Sequence, residues 1–203
     1  MKIAPHISNT VSKLGNIPTV NLPAVVTCRP GAPCTKGCYA CKGNFIFANV
    51  QKSLQANLYC WQTHPDVYRS TVELTAMQNR FFRWHSSGDI PDESYLRMMF
   101  DVAEAVPTCK FLAFTKRVEW VNSLLDVRAK PKNLSIVLSA WGNWIPDNPH
   151  NLPIAYVNLK SGEGRDLIPA NAIPCSGSCA NCVSGKVCCW TLERGQSVVF
   201  NQH

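Results

Sequence analysis

"IPDESYLRMMFDVAEAVPTCKFLAFTKRVEWVNSLLDVR", Ile90 to Arg128, sets the class of fold. Its first part has a helical period: Leu96, Met99, Val102, Ala103 and Val106 recur at three- and four-residue steps and so share one face. Asp92 stands where an N-cap belongs, since a short carboxylate can accept from the free N–H groups of a first turn. Pro107 ends the helix by removing a donor and crowding the preceding turn. "CKFLAFT" (109–115) is then an apolar run of strand length, and "KRVEWVNSLLDVR" (116–128) returns to the helical period before Pro131.

The same alternation extends in both directions. Downstream, "LSIVLSA" (134–140) and "PIAYVNL" (153–159) read as strands, and "VVF" (198–200) as a short edge strand. Upstream, "RFFRWHS" (80–86) is a strand closed by Gly88. Before it, "NFIFANVQKSLQANLYCWQ" (44–62) and "VYRSTVELTAMQNR" (67–80) are helical stretches separated by a break at Pro65. "AVVT" (24–27) is expected as the first strand. Strands alternating with helices predict an α/β fold with a parallel sheet, built as a small open or partial (β/α) barrel. Its 203 residues make a single domain, 1–203, with an α/β core over 24–170 and a cysteine-rich C-terminal segment over 171–203.

In such folds reacting groups collect at the carboxyl ends of strands. Three conspicuous groups fall there: Cys34, Cys38 and Cys41 after the first strand, Ser87-Gly88-Asp89 after the next, and Thr115-Lys116 and Ser139 after the following two. Lys116-Arg117 reads either as a binder of carboxylate or phosphate or as a solvated helix start.

Cysteine is the anomaly, with 11 in the chain. No apolar signal-peptide core opens the sequence, so a cytoplasmic location is expected, where thiols stay reduced. No run of 18 or more apolar residues predicts a membrane span. The cysteines other than Cys60 and Cys109 form two clusters, and those two read as small buried apolar groups.

"TCRPGAPCTKGCYACKG" puts Cys34, Cys38 and Cys41 at C-x3-C-x2-C, with Cys28 six residues upstream of Cys34. Gly31, Pro33 and Gly37 let the loop curl. Several soft thiolates in one loop without histidine favour an iron–sulfur cluster of the [4Fe–4S] type over zinc. Two states stay open: three cysteines with one iron free, or a cluster closed by Cys28. "PCSGSCANCVSGKVCCW" repeats the spacing with Cys175, Cys179 and Cys182 and adds Cys188 or Cys189 as a fourth ligand. A second [4Fe–4S] cluster or a structural zinc fits it.

A net charge of +7 admits nucleic acid as a partner, but the basic residues are scattered along the chain with no run. The histidines are scattered too, with no pair at metal spacing, and His85 reads as a satisfied, partly buried ring.

The C-x3-C-x2-C spacing resembles the motif of the radical S-adenosylmethionine superfamily. There three cysteines hold a [4Fe–4S] cluster at the mouth of a partial barrel, and its fourth iron binds the cofactor. "WHSSGDI" (84–90) is similar to the segment that meets the cofactor's amino group, so Ser87, Gly88 and Asp89 are the implied cofactor-binding residues, with Ser139 and Asn143 near its ribose. The aromatic residue usual before the third cysteine is replaced by Ala40, Tyr39 being one place early, which leaves Cys28/Cys34/Cys38 as an alternative register. Over most of its length the chain resembles a bacteriophage family, the gene-product-88 proteins, through "KLGNIPTVNLPAVVTC", "CYA", "FRWHSSGDI", "FTKR" and the ending "CW" at Cys189-Trp190. That resemblance implies a phage origin, hence a host-cell cytoplasm, and an iron–sulfur fold akin to the radical enzymes. Substrate and redox partner, small or macromolecular, are left unnamed by it.

Overall fold

The structure, a computed structural model, describes residues 4–9, 14–184 and 189–202. One sheet runs through it. In chain order its strands are β1 (Ile7–Ser8), β2 (Thr19–Val20), β3 (Phe81–Trp84), β4 (Lys110–Thr115), β5 (Leu134–Ser139), β6 (Ile154–Asn158), β7 (Ile173–Pro174) and β8 (Ser197–Asn201). In space the order is β1-β2-β3-β4-β5-β6-β8-β7. Only the β1–β2 pair is antiparallel, and β1 and β7 are open edges, so the α/β sheet is not closed.

Helices α1 (Ala48–Thr63), α2 (Pro65–Met77), α3 (Glu93–Ala105) and α4 (Val118–Val127) cover one face. Pro65 begins α2 at a position where its missing N–H costs nothing, and His64 ends α1. The Asp92 carboxylate caps α3 by accepting from the Tyr95 N–H at 2.8 Å. The expected face of α3, Leu96, Met99, Val102, Ala103 and Val106, is wholly buried against Phe82, Trp84, Phe111 and Ala113.

Parallel strands buried on both faces carry near-continuous apolar runs, and β4 and β5 do so. Their second face, Leu112 and Val137, joins Phe81, Phe114, Ala155, Val198 and Phe200. No helix of that first layer covers it. Leu14 and Ile17 from the N-terminal segment, together with Cys175, Cys179, Cys182, Cys189 and Trp190, lie there instead. The sheet therefore takes in strands on both sides of 24–170, and the cysteine-rich segment is packed against its second face.

Two expected strands are corrected. "AVVT" (24–27) is a turn: the N–H and hydroxyl of Thr27 both donate to the Pro23 carbonyl, at 3.2 and 2.9 Å. Val25 is held there at φ +69, and the strand sits upstream at Thr19–Val20, where the chain can still pair with β3. "VVF" is no edge strand. It lies within β8, inserted between β6 and β7, because its alternating apolar positions have partners on both sides.

Candidate functional site

The Cys28–Cys41 loop leaves the carboxyl end of β2 and winds through two 3-10 turns, Thr35–Gly37 and Tyr39–Cys41. Backbone bonds tighten it: Gly37 N–H to Cys34 O at 3.0 Å and Cys41 N–H to Cys38 O at 3.2 Å. Cys28, Cys34 and Cys38 are half-buried and Cys41 is exposed. The four thiols share one electrostatic neighbourhood. Burial, then the Asp89 charge, pushes the Cys28 thiol up to about 11, with Cys34 and Cys38 adding to it. Cys38 is also raised, first by burial, and it shares a hydrogen bond with Cys41.

"SSGD" is what fastens this loop to the sheet. Asn21 Oδ1 accepts from the Ser86 N–H and hydroxyl, both at 2.7 Å, and from the Ser87 N–H at 3.2 Å. Ser87 Oγ donates to Leu22 O at 3.0 Å, and the Tyr39 hydroxyl donates to Ser86 O at 2.6 Å. Gly88 has φ +78, and a Cβ on it would lie 2.6 Å from Leu22 O and 2.7 Å from Thr27 Oγ1, so only glycine lets the two segments meet.

Asp89 is buried, and both its oxygens are engaged. Oδ1 accepts from Thr115 Oγ1 at 2.7 Å and from the Ile90 N–H at 2.8 Å, while Oδ2 accepts from the Lys116 N–H at 2.9 Å. Burial raises its pKa against the pull of those donors. Ser87, Gly88 and Asp89 thus stand beside the cysteine loop and tie β2, β3 and β4 together at their carboxyl ends.

Arg117 resolves the two readings of Lys116-Arg117 into a third. It is buried, and its guanidinium donates to Ile90 O at 3.0 Å and to Thr27 O and Cys28 O, each at 2.8 Å. Trp120 lies 4.2 Å beneath it. Arg117 is a clamp on the backbone that carries Cys28.

The second constellation lies on the sheet face away from α1–α4. Cys175 follows β7, Cys179 and Cys182 stand at i and i+3 on α5 (Cys179–Ser184), and Cys189 enters on a 3-10 turn. Cys188 lies outside the described residues. A hydrogen bond with Cys182, then burial, then the charges of Cys182, Cys175 and Cys179 hold the Cys189 thiol far above its ordinary range. Cys175, Cys179 and Cys182 are thus gathered about Cys189. The Gly177 N–H donates to Cys175 Sγ and Arg83 Nη1 to Cys179 Sγ, each at 3.4 Å. Ser135 Oγ donates to Cys189 O at 2.8 Å and the Trp190 indole N–H to Phe82 O at 3.3 Å, which pins the segment to the sheet.

Arg83 was no candidate from the sequence, yet it connects the two constellations. It projects from β3 onto the face opposite Trp84, lies over the Phe114 ring at 4.8 Å, and its charge acts on Cys179, Tyr39 and His85. The available signal was a lone charge at an inward position of an apolar strand. Asn21 carried no signal, since its role depends on backbone donors that are far away in sequence.

His85 is buried, not partly exposed. Its Nε2 lies 2.9 Å from the Tyr95 hydroxyl, which lies 2.7 Å from that of Tyr68. Burial, with Arg83 adding to it, pushes the ring down to about 3, so it is neutral. Cys60 and Cys109 are core residues as expected. Ser139 ends β5 half-buried, and Asn143 is exposed in the loop beyond it.

Every described cysteine is a free thiol. Among the described residues no group of three or more His, Cys, Asp or Glu side chains is disposed as a ligand set for a metal ion. The donor chemistry is nonetheless uniform: in both sets the sulfurs crowd one another, adding to the rise that burial gives Cys28, Cys38 and Cys179 and, through the hydrogen bond with Cys182, leading it at Cys189, a crowding that a cationic centre would relieve.

Neither the curated proteins nor the solved structures contain a match to the chain. A family model, gene product 88, matches residues 4–188. With a match over most of its length, "FRWHSSGDI", the Cys28–Cys41 loop and Cys175, Cys179 and Cys182 included, the chain belongs to the gene product 88 family.

Proposed function

We propose that this is an iron–sulfur protein holding [4Fe–4S] clusters at both cysteine constellations, with the first of them serving a reaction like that of the radical S-adenosylmethionine enzymes. The observation that carries the reading is the gathering of Cys175, Cys179, Cys182 and Cys189 into one neighbourhood, with Cys28, Cys34, Cys38 and Cys41 in another. Thiolates alone suit iron and sulfide, and at the second constellation the Gly177 N–H and the Arg83 guanidinium, which donate to Cys175 and Cys179, would tune the reduction potential of a bound cluster.

Cys34, Cys38 and Cys41 would hold the first cluster, at the carboxyl end of a parallel sheet where reacting groups collect. Bound there with one iron open, the cluster would supply an electron to the sulfonium of S-adenosylmethionine. The residues of the chain do the positioning: Tyr39, Asn21 and Arg117 fix the loop, and Asp89 with Thr115 fixes the strand ends beside it.

A second reading has its own observation. Cys28 lies among Cys34 and Cys38, its carbonyl clamped by Arg117, so it stands ready as a fourth ligand. A closed cluster carries electrons or braces the loop and binds no cofactor.

Electron paramagnetic resonance of anaerobically purified, dithionite-reduced protein, with iron and sulfide analysis, tests both. The expected result is two [4Fe–4S] clusters per chain and a signal that changes on adding S-adenosylmethionine. Signals indifferent to the cofactor leave the electron carrier, and a Cys28→Ser variant that loses one cluster would agree with it. Stoichiometric zinc without iron would overturn the iron–sulfur reading in both forms.

A further inference from the structure

Four basic residues, Arg128, Lys130, Lys132 and Arg194, are brought together by the fold. At the amino ends of β5, β6 and β8 lies a groove of about 420 Å³. It opens at the opposite ends of the strands from the Cys28–Cys41 loop and so is separate from that site. Arg128, Lys130, Lys132 and Arg194 line it, with His150 and one acid, Glu193.

Part of this charge is already neutralised. Arg128 lies 2.8 Å from Asp101 and 2.8 Å from Glu104. His150 Nε2 is 3.0 Å from an Asp126 oxygen, at an angle that makes no hydrogen bond. Lys130, Lys132 and Arg194 have no carboxylate in ion-pair reach among the described residues.

Lys130 is fixed rather than free. Its ammonium donates to the carbonyls of Leu134 and Pro131 and is half-buried. Burial and then the Arg194 charge depress its pKa, and an anion in the groove would offset both by favouring the charged ammonium. Lys132 and Arg194 are exposed on the rim and able to close on such an anion.

We propose that this groove binds the phosphate group of a phosphorylated ligand, with Lys130 as the fixed contact and Lys132 and Arg194 as the closing arms. Three cations that include an arginine fork match the several oxygens of a phosphate, and the double charge of a monoester, better than one carboxylate. No Phe, Tyr or Trp lines the groove, so it offers no stacking platform for bases. The phosphate itself is what is recognised, whether on a nucleotide or along a nucleic-acid strand.

The test is calorimetric titration of the whole protein at low salt with pyrophosphate, adenosine monophosphate and a single-stranded oligonucleotide of about 12 nucleotides. Saturable binding of at least one probe is expected, weakened on the order of tenfold or more in Lys132→Gln/Arg194→Gln, whose exposed positions leave the core untouched. Mononucleotide binding points to a small ligand. Oligonucleotide binding alone points to a polymer, with a salt slope shallower by about 0.7 for each contact removed. Either supports the site. A Lys130→Met variant, checked for folding by its melting curve, should lose the same binding. The proposal is overturned if no probe binds, if the double variant binds unchanged, or if polyglutamate binds as tightly as the phosphate probes.

Discussion

Arg117 gives three hydrogen bonds to main-chain carbonyls and forms no ion pair among the described residues. Replacing it by Gln leaves the Thr27, Cys28 and Ile90 carbonyls short of donors, an expected loss of about 2–4 kcal/mol of unfolding free energy in urea denaturation. His85 predicts a pH effect. The folded ring titrates at about 3, while an unfolded one takes up its proton near 6.5. Between those values the unfolded state binds more protons, so stability is full above about 6.5 and falls on acidification by about 1.4 kcal/mol per pH unit, levelling below about 3. A His85→Gln variant, compared with the parent by denaturation midpoints at about pH 7.5 and 5, should lose this part of the slope; equal slopes would contradict it. The cysteine clusters were legible because thiols repeated at short fixed spacing stand out in a sequence. Arg83, Arg117 and Asn21 were not, because each acts on atoms that only the folded backbone brings near.

Elements were read best where period and punctuation agreed. In α3 the cap, the apolar face and the stop at Pro107 all point one way, and the helix runs as expected. Asp92 also accepts from the Trp61 indole N–H at 2.7 Å, so it fastens α3 to α1 as well as capping it. Asp92→Ala should cost about 1–2 kcal/mol, and Asp92→Asn, which keeps an acceptor, should recover much of that in the same melting experiment. The failures were short apolar runs. "AVVT" and "VVF" are each too short to carry a period, so pairing decided their fate: the first lies in a turn fixed by the Pro23 carbonyl, and the second has a strand on either side. Propensity alone holds neither answer.

At the scale of the molecule, alternation alone was enough to give the open α/β sheet, but not what covers its second face. That depends on contacts between residues such as Phe81 and Trp190, whose rings meet at 5.6 Å across most of the chain. Removing residues 171–203 would strip β7 and β8 and uncover Leu112, Phe114, Val137 and Ala155. The expected outcome is a product that binds a hydrophobic dye and melts without cooperativity; a sharp, unshifted melting transition would contradict it.

The place of β8 also governs the order in which the protein can be made. Ile154 pairs with Ser197 and Asn158 with Asn201, so the last strand is a middle piece of the sheet. A ribosome delivers the Cys28–Cys41 loop early, when the strands that shelter it, β3 and β4, are still unsynthesised. Until residue 201 has emerged, β7 has no neighbour and the C-terminal thiols have no finished floor beneath them. The chain therefore carries its first thiols bare until β3 and β4 have emerged, whereas any centre on the C-terminal thiols waits for β8.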